Sequence, residues 1–396
     1  MIYKPTIIIP VFKRKDTLSV LLRSINEADY PDDNIRLVIS IDKGASQDVI
    51  ECVNSFEFKA GNKQIVYQKR KLGVKNHIEW CVSYGVNDGS VIILEDDIIV
   101  TRSYYTYACA ALNHYQGDQR IAGVSLYAQR YNETAELPFE PLQSEYSTYF
   151  MQLACSWGQA WTLSQWRDYK NWSKNNDLQP ESIHAILPEN IKKWPDTSWK
   201  KDFNIYMIEM NKYFVYPYKS YSSNISHSDG HHMKQVGNLF QVPLSFTIRQ
   251  KEKYVFPNFK NFSIIYDFYM EASGTIISKF IGISLKNIEI DLYGKKPLIL
   301  LKSKEYFISS KKANSAIRSF PLCFKPIEMN LNYPGNSLKG AFFYLYKSET
   351  VNKTKSKSGL MYIKLAEYFS YVPYKNRKFV LNFILQFIRS LMRNRG

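Results

Sequence analysis

The sequence predicts an α/β protein with a mostly parallel central sheet, followed by a smaller strand-rich region and an amphipathic C-terminal helix. Three observations predict it. Apolar, β-branched runs alternate with helical patterns through the first 126 residues, the rhythm of strand–helix–strand units joined by right-handed crossovers. The runs are apolar at successive positions, as in strands covered on both faces. Pro10, Asp42 and the acidic triplet Glu95, Asp96, Asp97 fall at strand carboxyl ends, where open α/β sheets gather their ligands.

The elements follow in order. "TIIIPV" (Thr6 to Val11) is the first strand, and "DTLSVLLRSINEA" is a helix with Asp16 at its start and Leu18, Leu21, Leu22 and Ile25 on one face. "IRLVISID" is the second strand, and residues 45–58 are helical. "QIVYQ" is the third strand, before a helix that starts near Gly73. "VIIL" is the fourth, and "RIAGVSLY" is a further strand after another helix. From about Tyr131 the alternation breaks. "DTSWKKDFNIYMIEMNKYF" returns to a helical period through Trp199, Phe203, Tyr206, Met207 and Met210. "NIEIDLYG", "KPLILL" and "GAFFYLY" read as strands separated by Gly, Pro and Asn. The expected units are residues 1–245, residues 246–350, and a basic linker with a helix over 351–396.

At 396 residues, with 45% hydrophobic and 22% charged residues, the chain has material for a large core and for more than one domain. Five scattered cysteines without a CxxC pair indicate neither a zinc knuckle nor a disulfide framework, and a reducing compartment is expected. No leader-like opening and no run of about 20 apolar residues is present. The net charge is +16, and 11 Lys and Arg against Glu349 and Glu367 fall in the last 50 residues. There "NRKFVLNFILQFIRSLMRNRG" aligns Val380, Phe383, Ile384, Phe387, Ile388 and Leu391 on one stripe flanked by Lys378, Arg389, Arg393 and Arg395. That pattern predicts a helix lying on an anionic membrane surface, with docking on the protein as the competing reading. A nucleic-acid partner is not expected, because the positive excess sits in this tail rather than along an aromatic groove.

"SVIILEDDIIV" carries the chemistry. Strands disfavour acidic residues, so three adjacent carboxylates that close a buried strand call for a cation or a polyphosphate. A solvated acidic turn is the plain alternative.

Taken in order, "PTIIIPVFKR", "VISIDKGAS", "KLGVKNHIEW" and "VIILEDDIIV" resemble the motifs of GT-A glycosyltransferases, whose sheet is Rossmann-like. The similarity is to the family 2-like and N-acetylglucosaminyltransferase-like groups that include bacterial capsule and lipopolysaccharide enzymes. It covers about the first 235 residues, and "SWGQAWT" and "SNISHSDGHH" resemble the segments that complete such a site. The resemblance implies an enzyme moving sugar from a nucleoside-diphosphate sugar, expected to be a UDP-sugar, to a glycan or lipid-linked glycan. It implies Mn2+ or Mg2+ and a cytoplasmic position on the inner membrane face.

Residue by residue, the resemblance assigns Asp97 to the metal, Asp96 to the ribose or the metal's waters, and Glu95 to their support. Hard cations of this class take one or two carboxylates together with phosphates and waters. Pro10, Val11 and Arg14 would lie against the nucleotide base, and Asp42 would accept a hydrogen bond from it; a turn-capping role for Asp42 is the alternative. Lys75 and Asn76 match positions near the diphosphate or ribose. In the cluster His227, His231, His232, the metal- or diphosphate-binding histidine is His231, with His232 as alternate. Trp157 and Trp161 are the members of the tryptophan-rich stretch expected to stack on sugar, against a packing role. The family's Trp-Asp segment departs here to "WPDTSWKKDF", leaving Asp196 and Asp202 as the two candidate general bases. Inversion is expected, and retention stays open. The competing functions are a sugar-nucleotide nucleotidyltransferase, which would carry a Gly-rich loop after the first strand, and an inactive glycan-binding scaffold.

Overall fold

The structure is a computed structural model that describes residues 3–175, 181–225, 239–245, 253–259, 263–273, 275–284, 286–312, 315–333, 341–353, 359–370 and 376. The chain opens with β1 (Thr6–Val11), α1 (Lys15–Asn26), β2 (Ile35–Ile41), α2 (Gln47–Ser55), β3 (Gly61–Tyr67), α3 (Gly73–Gly85) and β4 (Ser90–Ile93). After the acidic triplet come β5 (Ile98–Val100), α4 (Tyr104–Tyr115), β6 (Ile121–Ser125) and a small hairpin, β7 (Tyr131–Asn132) with β8 (Leu137–Pro138). Next are β9 (Thr148–Met151), β10 (Gln159–Thr162), α5 (Leu163–Asn175), α6 (Glu181–Ile186), α7 (Glu189–Lys192), α8 (Trp199–Glu209), β11 (Tyr213–Pro217), β12 (Ser222–Asn224) and β13 (Ile265–Tyr266).

Among the described residues, nine strands form the central sheet in the order β13-β9-β11-β6-β10-β4-β1-β2-β3. The strands β1, β2, β3, β4, β6 and β11 run one way; β10, β9 and β13 run against them. The mostly parallel α/β sheet read from the sequence is therefore the fold. Of the strands that run one way, β1, β2, β3, β4 and β6 come from the alternating first 126 residues; β11 and the strands that oppose them come from the stretch where alternation stops. β1 agrees with its expected limits to the residue, and every one of its positions is buried. Ile7 and Ile9 pack toward α1, α2 and α4, whereas Ile8 packs toward α3, α5 and α8. A strand sealed on both faces cannot alternate polar with apolar, which is why the run reads as continuous hydrophobe.

The order β3-β2-β1-β4 makes the β1/β4 boundary a switch point, from which successive crossovers depart in opposite directions. The loops after β1 and β4 therefore face one crevice.

Residues beyond 245 contribute to the same sheet, since β13 pairs with β9. Tyr254 and Phe256 pack on Tyr107 of α4. Then follow α9 (Thr275–Ile281), β14 (Ile288–Asp291), α10 (Leu298–Leu301), β15 (Tyr306–Ser309), β16 (Arg318–Phe320), β17 (Phe343–Lys347) and α11 (Leu360–Ser370). A second sheet runs β14-β15-β17-β16. "KPLILL", expected as a strand, is the short helix α10. Pro297 precedes it in extended geometry, where the missing N–H costs nothing, and only Leu301 of its four residues is buried. α11 docks through Leu360 and Ile363, with ion pairs from Lys364 to Glu136 and from Lys325 to Glu367. The predicted helix over residues 378–395 lies outside the described residues. Among the described residues, no helix is long and apolar enough to cross a membrane.

Candidate functional site

At the switch point, β1 delivers Phe12, Lys13 and Arg14 into the crevice, and β4 delivers Glu95, Asp96 and Asp97 from its opposite flank. A single nitrogen of Arg14, Nη1, lies 3.0 Å from Asp96 Oδ1 and 2.6 Å from Asp97 Oδ2. Two carboxylate oxygens from adjacent residues thus converge on one cationic point. The three side chains are 24%, 11% and 21% exposed, so the cluster is recessed yet open to the crevice.

One guanidinium does not neutralise three acids. Glu95 is pushed up to about 8 by burial and by repulsion from Asp97 and Asp96, opposed by Arg14 and Lys200. Its Oε1 is buried without a hydrogen-bond partner. Burial and the Asp97 charge push Asp96 up to about 6, against the pull of Arg14. Burial opposes the Arg14 charge, but Asp96, Asp97 and Glu95 overcome it and raise the guanidinium's pKa.

This donor set fits a hard divalent cation. Two converging carboxylate oxygens, an orphaned third acid and an uncompensated negative charge are what such an ion satisfies. No group of three or more His, Cys, Asp or Glu side chains with metal-binding geometry occurs among the described residues, so a cation here would complete its shell with substrate oxygens and water. His231 and His232 lie outside the described residues. The described chain does pass close: β12 pairs with β5, and Ile225 N donates to Asp97 O at 2.7 Å.

Basic side chains share the sheet edge that carries the acids. Lys13 Nζ and Lys71 Nζ stand 5.1 and 5.3 Å from the Phe12 ring centroid, while Lys43, Lys69 and Arg70 are exposed on the loops after β2 and β3. The interleaved signs suit a ligand that carries both an anion and a bound cation.

Asp42 is buried and engaged. Oδ1 accepts from the backbone N–H of Leu72 at 2.8 Å and of Lys43 at 2.9 Å, and Oδ2 accepts from Gly73 N–H at 3.1 Å. It thereby satisfies donors at the start of α3 that have no partner within the helix. Asp42 thus caps α3, a longer-range relation than the turn capping weighed against base binding. Pro10 and Val11 are the last two residues of β1, and both are buried.

The two candidate bases are brought together by lysines. Lys75 pairs with the buried Asp202 and donates to the backbone oxygen of Asp196 at 3.2 Å. Lys201, itself buried, holds the exposed Asp196 carboxylate at 2.8 Å. Asn76 is exposed and bonds back to Leu72 O at 3.1 Å.

The tryptophans separate. Trp161 is fully buried in β10 among Trp166, Trp199, Phe203 and Phe214. The sugar-stacking expectation for it is corrected: β10 is sealed on both faces, and the ring is enclosed by neighbouring aromatic side chains. Trp157, one residue before Gly158, is half-buried, and Lys200 Nζ lies 5.5 Å from its ring and 4.7 Å from that of Trp194. Gly158 has φ +93, and a Cβ there would meet Ser222 Oγ at 3.0 Å; a glycine is what lets "SWGQAW" turn beneath β12.

Sequence reasoning missed Lys200 as a site residue, reading it only as a departure from Trp-Asp. Its charge acts on Glu95. The available signal was its place directly after Trp199 in a stretch otherwise rich in aromatic residues.

No family model matches the chain, and no curated protein matches it. Among solved structures it is similar to a mannosyltransferase, PcManGT from Pyrobaculum calidifontis in complex with GDP-Man and Mn2+, at 15% identity over 41% of this chain and 46% of that one, with TM-score 0.30. It is similar to S. aureus TarS 1-349 in complex with UDP-GlcNAc at 14% identity over 60% and 62% of the two chains, with TM-score 0.37. It is also similar to GalNAc-T7 with UDP, GalNAc and Mn2+ at 12% identity, over 57% of this chain and 43% of that one, with TM-score 0.39. The chain thus spans between 43% and 62% of the length of these three structures.

Proposed function

We propose that this protein is a metal-dependent glycosyltransferase that moves a sugar from a nucleoside-diphosphate sugar to a glycan or lipid-linked glycan, with inversion. The observation that carries the reading is the convergence of Asp96 and Asp97 on one cationic point at the switch point of the sheet. A UDP-sugar is the expected donor, and bacterial surface polysaccharide synthesis is the expected setting.

Asp97 and Asp96 would hold Mn2+ or Mg2+, which supplies Lewis-acid neutralisation of the departing diphosphate. The chain's own groups do the rest. Lys13 and Lys71 face the anion, and Trp157 with Lys200 forms a wall for the sugar or acceptor. Asp202 is favoured over Asp196 as the base, because Lys75 fixes it in a buried setting while Asp196 stands in solvent. The acceptor oxygen forms a bond to the anomeric carbon as the bond to the diphosphate breaks. That electron pair leaves on the phosphate oxygen, and the acceptor's proton goes to Asp202.

The test is release of nucleoside diphosphate from a panel of sugar nucleotides, with acceptor and with or without Mn2+. Metal-dependent release from one donor supports the reading. Pyrophosphate release from a nucleoside triphosphate and a sugar phosphate would assign a nucleotidyltransferase instead. Binding of glycan without either reaction would assign a scaffold.

A further inference from the structure

We propose that Arg14 is the resting counter-ion of the acidic pair: it holds the point that a divalent cation takes, and yields it when an anionic diphosphate draws its guanidinium away. The inference rests on the donor-site reading above and concerns what this residue does before the donor arrives.

The geometry points to a competitor rather than a bystander. A side chain that merely lined a phosphate site would face the anion beside Lys13 and Lys71. Arg14 instead turns Nη1 onto both carboxylates, at 3.0 and 2.6 Å. A cation coordinated by Asp96 Oδ1 and Asp97 Oδ2 needs that same space. Arg14 lies in the loop between β1 and α1 and makes no side-chain cap on the helix, so the contacts shown for its guanidinium are those with the acids. Its partners are partly exposed to the crevice, leaving it a path outward. With Asp96 and Asp97 sharing one guanidinium, the pair remains short of positive charge, so a dication is attracted but must displace Arg14. Lys13 and Lys71 flank Phe12, two residues away, and mark where an anion would gather. A diphosphate offers Arg14 a replacement with charge-assisted hydrogen bonds of equal kind.

Metal and diphosphate therefore each remove an obstacle to the other, and their binding is coupled reciprocally. Metal alone binds weakly because Arg14 opposes it; diphosphate alone binds weakly because Arg14 is occupied.

The experiment measures Mn2+ binding to the full chain, by electron paramagnetic resonance of free Mn2+, with and without UDP. The forms compared are wild type, Arg14→Gln, Arg14→Lys and Asp97→Asn. Without UDP, Arg14→Gln should bind Mn2+ about tenfold tighter than wild type, within the usual range for coupled sites. Arg14→Lys should stay near wild type. UDP should enhance Mn2+ binding more in wild type than in Arg14→Gln. If Arg14→Gln is poorly folded, Arg14→Met serves, and the melting shift on adding Mn2+ alone should exceed that of wild type. Equal or weaker Mn2+ binding in the neutral variants overturns the proposal. Where Asp97→Asn nevertheless loses Mn2+, the donor-site reading survives that result. No Mn2+ binding by any form, with or without UDP, overturns both.

Discussion

Lys75 in the first turn of α3 pairs with Asp202 in the first turn of α8, a contact between residues 127 positions apart. The same ammonium reaches the backbone oxygen of Asp196, and Lys201 holds that residue's carboxylate. Two lysines therefore fix the segment that carries both candidate bases, one of them tying it to the first turn of α3. A carboxylate as buried as Asp202 needs such a partner, because an uncompensated charge there is strongly destabilising.

That pairing separates the two aspartates by experiment. Asp202→Asn should lower the transfer rate at least ~100-fold, with donor binding nearly unchanged, as for loss of a general base. Asp196→Asn should stay within about threefold of wild type, since its side chain is 83% exposed and such surface pairs contribute little. The measurement is single-turnover transfer alongside donor titration. The reverse order of effects would move the base to Asp196; no loss in either variant would point to a retaining mechanism or another base.

Asp97→Asn should abolish metal-dependent donor turnover while the fold persists, because Asp97 contacts solvent and Arg14 rather than the core. Turnover with Mn2+ and a circular dichroism melt check it together. Undiminished turnover would remove Asp97 from the metal. Asp96→Asn should weaken Mn2+ and nucleotide binding together, with a smaller loss of rate than Asp97→Asn.

Asp42→Ala removes the acceptor for three backbone N–H groups, two of them at the start of α3. Losing a cap of this kind should destabilise the protein by about 2 kcal/mol, read from urea unfolding. Asp42→Asn, which keeps one acceptor oxygen, should cost less. A stability equal to wild type in the Ala variant would show that water replaces the cap.

Glu328 gives a pH-dependent expectation. Burial pushes its carboxyl up to about 7 from an ordinary 4.5. The folded state therefore holds a proton that the unfolded state has released between about pH 4.5 and 7, and stability falls as pH rises through that window. Glu328→Gln should remove this part of the decline, up to about 3 kcal/mol for a shift of this size. Unfolding at pH 4.5 and pH 8 compares the two proteins. Equal slopes would mean that Glu328 ionises freely in the folded chain.

The membrane proposal needs a cut that spares α11, since Leu360 and Ile363 of that helix are buried. Removing residues 377–396 should release the protein from anionic liposomes and leave turnover of a soluble acceptor intact. Each lost basic residue is worth about 1 kcal/mol at such a surface. Salt should weaken binding of the intact chain without ending it, because screening leaves apolar burial untouched. Unfolding or a change of oligomeric state on truncation would instead make the segment a packing helix.

The sequence by itself determined the parallel strands of the first 126 residues and the position of the acids. Strands sealed on both faces leave runs such as "TIIIPV" and "VIIL", and three carboxylates after such a run stand out without any knowledge of neighbours. Local grammar could not tell Trp157 from Trp161, because both lie in one aromatic stretch and only the pairing of β10 with β4 and β6 turns Trp161 inward. It could not recognise "KPLILL" as a helix, since four apolar residues suit either period. Nor could it see that Asp42 caps α3, that Arg14 sits on the acids, or that Lys75 holds Asp202. Those contacts join residues 30, 82 and 127 positions apart. Pairings at such separations come into being only when the crossovers bring the strand ends to one edge, so tertiary structure alone decided them.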